Sequence, residues 1–392
     1  MPVTKGRIQS IDLVRGAVMI LMAIDHVREF LSSAAYAFRP EDLARTTAPV
    51  FLTRWITHFC APVFLFAAGL GAFLWARRGR SRGELSRFLW TRGLWLVVLE
   101  LTAIRFLMYF SFSFPLVLTV FWALGWSMVA MAALVYLPPR AIAVISVGMI
   151  ALHNLLDPVR AADFGRWAWL WNVLHQPGVI RAGATVIIPG YSLIPWLGVM
   201  GAGYCCGTLY LMDAERRRAL LIRTGAVLTS AFILLRGLNF YGDPARWSVQ
   251  SSALFTALSF LNCTKYPPSL LFLLMTLGPA LLALGLLDSV RVSESNPVLV
   301  FGRVPFFYYV IHLGMAHLAL VLLTYLRYGA ANFLFTPPPT LGGPRQAFPA
   351  DFGFGLGTCY AVWFAMLIAL YPLCRWFAGV KQRRKDWWLS YL

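Results

Sequence analysis

Residues 11–30 read IDLVRGAVMILMAIDHVREF. Fourteen of these twenty are apolar or glycine, which suits a helix that crosses hydrocarbon, where about 20 mostly apolar residues are needed. The other six are Asp12, Arg15, Asp25, His26, Arg28 and Glu29. Ionisable groups in a span are costly, and they persist where they face a protein interior or an aqueous path. Arg15 and His26 are eleven residues apart. That is about three turns, so both lie on one face, about 16 Å from each other. Asp12 shares that stripe one turn before Arg15. Asp25 points about 100° away from His26 and can pair with Arg28 or with Arg54 on the next apolar run.

The rest of the chain has the same character. It has 392 residues, 59% hydrophobic and only 13% charged, where a soluble domain carries roughly a quarter charged residues. This indicates an all-α polytopic membrane protein, with about ten transmembrane helices in one bundle. The apolar segments are near 10–32, 50–76, 90–112, 115–137, 141–157, 190–212, 219–240, 267–287, 297–326 and 353–377. They exceed the ~10-residue alternating segments of a membrane barrel, so strands are not expected. No linker or composition break divides residues 1–392, which read as a single domain. No internal repeat is visible, which counts against the inverted-repeat transporter folds. Gly203-x3-Gly207 predicts a close helix approach.

The net charge of +18 sits mainly in short loops, at Arg77–Arg87, Arg140, Arg216–Arg218, Arg291 and the tail from Lys381 to Lys385. That bias places both termini in the cytoplasm. It also excludes nucleic acid as a partner, because no basic domain interleaved with aromatics exists. Lys5 and Arg7 precede an apolar run that Asp12 and Arg15 interrupt, so an uncleaved first span is expected. Trp167, Trp169 and Trp171 mark an interfacial outer segment, and the Pro- and Gly-rich stretch 329–352 reads as irregular. The six cysteines form no CxxC pair and no Cys/His zinc spacing, so no metal is expected. Cys263 and Cys359 can approach the outer face, where they could form a disulfide.

Further polar residues recur in the spans. His58 follows Arg54 by four residues and reaches a depth similar to that of His26. The third run holds Glu100 and Arg105, and the ninth holds Arg303, His312 and His317. The outer half of a bundle can gather His26, His58, Arg105 and one of His312 or His317. A neutral imidazole can take a proton from an alcohol or amine and return it to a leaving group. A buried arginine can stabilise charge that develops in acyl transfer. The plain structural readings stand beside these. Asp12–Arg15 fits an i,i+3 ion pair, Glu100 fits a partner for a buried arginine, and His26 and His58 fit hydrogen-bonded core histidines. The aromatics of 301–309 fit core and lipid contacts. His153 and His175 carry no assigned role.

The spacing Arg15-x10-His26 in a first span resembles the signature of the membrane acyltransferase superfamily. Four stretches together resemble the heparan-α-glucosaminide N-acetyltransferase-like family. They are RIQSIDLVRGAVMILMAIDHVREF, TRWITHFCAPVFLFAAGLGAFL, YSLIPWLGVMGAGYCCG and FGRVPFFYYVIHLGMAH. The resemblance implies ten or eleven helices. It also implies transfer of an acyl group, usually acetyl, from cytosolic acyl-CoA to a sugar across the membrane. The lysosomal branch uses a luminal histidine near its second helix and has Asn where His26 stands. This chain has no histidine in its first outer loop, and His58 is the nearest. Either His26 or His58 can therefore be the base, and transfer can be direct or pass through an acyl-histidine.

The reading is thus a multi-pass acyltransferase of a bacterial inner membrane. His26, His58 and Asp25 form its catalytic group. Arg54, Glu100, Arg105 and His312 shape the outer site, and Arg15, Asp12 and Arg303 hold acyl-CoA from inside. Expected partners are acyl-CoA, an extracytoplasmic glycan or small acceptor, membrane lipids and a second copy in a homodimer. Arg15 and His26 should border one polar tunnel. The alternative is a proton-coupled transporter of a small polar or anionic solute, to which buried Arg, His and Glu are equally suited.

Overall fold

The opening stretch forms one unbroken helix, α1 (Gln9–Leu31), with Asp12 in its first turn and Arg28 in its last, signs that suit the two ends of a helix dipole. The computed structural model describes residues 8–183, 185–337, 348–384, 386 and 389. Lys5, Arg7 and Lys385 lie outside the described residues, as do 338–347 of the Pro- and Gly-rich stretch.

A short helix, α2 (Ser33–Ala37), follows. The second apolar run is broken: α3 (Ala48–Ile56) passes through a 3-10 turn, Thr57–Phe59, into α4 (Cys60–Ala76). Pro62 explains the break, since it has no N–H for the carbonyl of His58 and its ring crowds that carbonyl. His58 therefore sits in a kink. The third run begins at a capping box, Ser81 with Glu84, and forms α5 (Arg82–Leu99). It widens into a π turn at Glu100–Ile104 before α6 (Arg105–Tyr109).

The middle of the chain forms β1 (Leu116–Leu118), α7 (Val120–Leu134), α8 (Pro139–Leu152), α9 (Ala168–Leu174), β2 (Ile180–Ala182), β3 (Thr185–Pro189) and α10 (Leu193–Cys206). Strands were not expected, yet β1 pairs in parallel with β3, and β3 pairs antiparallel with β2. These strands join helices rather than span, so the length test that excludes a barrel does not apply to them. The last third holds α11 (Ala214–Leu238), α12 (Ala253–Leu261) and α13 (Leu270–Leu286). The ninth run is split by Pro305 into α14 (Pro297–Arg303) and α15 (Pro305–Tyr328), and α16 (Leu356–Arg383) closes the bundle.

Among the described residues, six helical stretches are long and apolar enough to cross a membrane: Ala48–Ala76, Pro139–Leu156, Ala214–Leu238, Leu270–Ser289, Pro305–Tyr328 and Leu356–Arg383. On α11 and α16 the large apolar side chains Val227, Leu234, Leu238, Phe364, Ile368 and Trp376 are exposed, an arrangement that requires lipid rather than water around it. The chain is a mainly helical, multi-pass membrane protein.

α1 lies among α4, α14, α15 and α16. Its crossing with α14 is so close that a Cβ on Gly16 would stand 1.8 Å from the Val298 carbonyl oxygen, and one on Gly302 would stand 1.8 Å from that of Asp12. The approach predicted at Gly203 occurs against α4, where a Cβ would meet the Phe66 carbonyl oxygen at 2.0 Å. Small residues at such crossings let backbones pack where hydrophobic driving force is absent. All six cysteines are free, so the Cys263–Cys359 bridge does not form.

Candidate functional site

Two of the histidines meet. His26, from the second half of α1, places Nδ1 2.7 Å from Nε2 of His312 on α15. His312 Nδ1 lies 2.9 Å from the backbone carbonyl of Tyr308. A carbonyl can only accept, so His312 Nδ1 carries its proton and donates. In the neutral ring Nε2 then accepts, and His26 Nδ1 donates to it. The tautomer of His26 follows: its Nε2 bears the lone pair. The two rings stack at 5.0 Å between centroids and 16° between planes. His26 keeps partial accessibility, whereas His58, His312 and His317 are buried.

Asp25, one residue earlier, faces a different set. It accepts from Arg28 at 2.9 Å and from Arg54 Nη1 at 2.9 and 2.7 Å, so both alternative pairings occur together. Arg54 also donates through Nε to Glu41 at 2.9 Å. Burial raises the Glu41 carboxyl, but His58 and Arg54 beside it more than offset this and hold it well below the usual carboxylate range. His58 Nε2 stands 3.9 Å from Glu41, beyond hydrogen-bond distance, and both its ring nitrogens are buried without a partner among the described residues. His58 packs on Phe272 rather than on the histidine pair.

Other predicted residues do different work. Glu100 does not pair with an arginine; its carboxylate accepts the Thr119 N–H at 2.7 Å and the Thr119 hydroxyl at 3.0 Å, where α7 begins. Helix N-termini favour such a negative group. Arg105 is not brought to the imidazoles, because it donates to the carbonyls of Phe112 and Phe114 and braces its own loop. His317 Nδ1 donates to the Leu107 carbonyl at 2.9 Å and its ring stacks between Phe30 and Phe110. Arg303 pairs with Glu294.

A cavity of about 240 Å³ lies beside the histidine pair, with Tyr309 between them. Arg15 and Met19 of α1 line it, with Arg92 of α5, Phe121 of α7 and Phe306 and Tyr309 of α15. Arg15 donates to the Gly302 carbonyl at 3.3 Å and to Asp12 at 3.4 Å. The Tyr309 ring stands edge-on to both His26 and His312, at 5.7 and 5.3 Å. Arg15 and His26 thus do share a side of α1, as their spacing predicts. The expectation of one polar tunnel needs correction: the walls are mainly apolar, and Tyr309 lines the cavity whereas His26 does not. Arg92, Tyr309 and Glu41 were missed by sequence reasoning. Arg92 carried a signal, an arginine within an apolar run. Tyr309 did not, since it is one aromatic among several.

The bundle and its buried polar centre define a multi-pass helical membrane protein with a hydrogen-bonded histidine pair beside a cavity. A family model described as heparan-alpha-glucosaminide N-acetyltransferase, catalytic, matches residues 7–241. The chain belongs to that family of membrane acetyltransferases. No curated protein matches it. His26 and His58 fall within the matched residues, whereas Tyr309 and His312 lie beyond them.

Proposed function

We propose that this protein is an integral-membrane acyltransferase that moves an acetyl group from acetyl-CoA to a hydroxyl or amino group of an extracytoplasmic sugar or similar small acceptor. The observation that carries the reading is the ordered chain of hydrogen bonds from His26 through His312 to the Tyr308 carbonyl. It leaves one imidazole nitrogen basic, oriented and partly accessible, which is what a general base requires. His26 Nε2 takes the proton as the acceptor oxygen or nitrogen attacks the thioester carbonyl. Collapse of the tetrahedral intermediate breaks the C–S bond, and the proton passes from His26 to the departing thiolate. Transfer is then direct, with His26 as the base. Asp25 and Arg54 position α1 against α3, and His58 lies in the kink beside them.

The cavity is smaller than the roughly 300–1,000 Å³ of a drug-sized pocket, so it suits a thioester arm and not a whole nucleotide donor. Arg15 and Arg92 line it and would face the carbonyl and amides of that arm. The Tyr309 ring must swing aside for the thioester to reach His26. The helix order supports ten spans, with α1, α5–α6, α7 and α10 added to the six apolar stretches. Arg77–Arg87, Arg140, Arg216–Arg218, Arg291 and the C-terminal basic residues then fall on one side, which we assign to the cytoplasm. Such a single-domain enzyme would work in a bacterial inner membrane.

The test uses the purified protein with acetyl-labelled acetyl-CoA and a set of hexosamines and polyols. Covalent acetylated product is expected, and His26→Ala should lower its rate about 10²- to 10⁴-fold while thermal unfolding stays unchanged. Full activity in that variant, or uptake into vesicles with no product, overturns the proposal.

A further inference from the structure

Two buried histidines and a carboxylate gather away from the histidine pair, at the ends of α8 and α9. His153 opens the 3-10 turn that follows α8, Asp157 ends that turn, and His175 caps α9. Both imidazoles are 2% exposed. Their rings stand 5.6 Å apart at 68°. One donor atom from each of the three residues lies within 4.8 Å of the other two. His175 Nε2 is 3.1 Å from Asp157 Oδ1. Among the described residues, neither nitrogen of His153 has a hydrogen-bond partner, and His175 Nδ1 has none either. The Pro268 carbonyl comes near the His153 ring but short of good hydrogen-bond geometry. Buried polar atoms in this number, left unmet, need an explanation.

The surroundings orient the carboxylate. Asn154 Nδ2 donates to Asp157 Oδ2 at 2.9 Å, and Asn154 Oδ1 accepts the Leu270 N–H at 2.9 Å. One carboxylate oxygen is thereby held, and the other turns toward His175. Outer partners that fix ligand orientation in this way are typical of metal sites.

We propose that His153, Asp157 and His175 form a binding site for a zinc-type divalent cation, with the fourth position open to water. Zinc takes imidazole nitrogen and carboxylate oxygen in tetrahedral sites, and three protein ligands leave one position free. With bonds of about 2.0–2.1 Å, tetrahedral donors stand roughly 3.3 Å apart, so the three atoms need close by no more than about 1.5 Å. The carboxylate charge offsets half that of the ion, and the ion takes up imidazole lone pairs that nothing else meets among the described residues. One His153 nitrogen then ligates while the other can donate to Pro268. The ion ties the end of α8 to α9 and so fixes the connection between α8 and β2. Cysteine arithmetic could not find the site, because its ligands are two histidines 22 positions apart with an aspartate between.

The test is zinc binding by the full chain in detergent after chelator treatment, read by calorimetry and by metal analysis. One ion per chain is expected, together with a rise in unfolding temperature. Asp157→Asn and His175→Gln should each weaken binding at least 10- to 100-fold, and Asn154→Ala about tenfold. His26→Ala should bind as the wild type does, which separates this site from acyl transfer. A wild-type chain that takes up no zinc overturns the proposal, as does undiminished binding in folded Asp157→Asn. If those variants do not fold, the cobalt-loaded wild type decides. Intense visible bands of a four-coordinate nitrogen and oxygen site support it, and a weak six-coordinate spectrum or none refutes it.

Discussion

Asp25 and His26 are neighbours in the chain and opposites in the structure. Asp25 is paired on both oxygens: Arg28 and Arg54 donate to them, and Arg54 extends the network to Glu41. His26 is deliberately incomplete, with one nitrogen in a directed hydrogen bond to His312 and the other holding a lone pair. A helix turns about 100° per residue, so consecutive polar residues meet different neighbours. The difference teaches how to separate structure from chemistry among buried polar groups. Where both oxygens are paired with arginines, the group holds helices together. Where one is left basic and accessible, the group can react.

The comparison can be broken most severely on the structural side. Asp25→Asn leaves Arg28 and Arg54 without their shared charge, and removing one partner of a buried pair costs about 3–5 kcal/mol. Denaturant or thermal unfolding in detergent should show that loss, while the residual folded protein keeps its transfer activity per molecule. A stable but inactive Asp25→Asn would move Asp25 into the catalytic group. His312→Phe keeps the ring packing and removes the acceptor for His26 Nδ1. It should lower kcat on the order of 10²-fold with KM little changed, because a positioning residue acts on the base and not on substrate binding. Equal loss in kcat and gain in KM would point instead to a contact with substrate.

The smallest effect sharpens the edge of the ion network. Glu41 is partly exposed, so its pairing with Arg54 is worth about 1 kcal/mol or less. Its carboxyl is held below its ordinary value in the folded chain. A depressed folded value means stabilisation that is complete above the unfolded value, near 4.3, and fades as pH falls below it. Wild type should therefore exceed Glu41→Gln in unfolding temperature at pH 6–7. The gap should start to narrow as pH drops below about 4 and close only once the carboxyl of the folded chain is itself protonated. A gap that does not narrow at all in acid would show that the glutamate acts through packing and not through charge.

Much of the helical pattern was legible, because length and apolar content decide whether a run can cross hydrocarbon. Arg15 with His26 on one face was legible too, since 3.6 residues per turn is a local rule. The failures have a common cause. Glu100 looked like a partner for arginine, but it caps α7, and only the path of residues 110–119 brings that helix start to it. Arg105 looked like a site residue, yet its donors go to carbonyls seven and nine positions onward, in a loop whose shape no periodicity reveals. His58 looked like a partner for His26 but turned toward Phe272, because a kink rotates the residues on either side of it.

The sequence alone determined that this is a bundle of apolar helices carrying arginine and histidine inside, for hydrophobic length and helical repeat are properties of the chain at short range. Tertiary structure decided which polar group meets which. His312 lies 286 positions from His26, and no local rule measures that distance. Hydrogen bonding is settled within a few tenths of an ångström and by direction. That degree of definition comes only from the way glycine-mediated crossings and proline breaks set one helix against another.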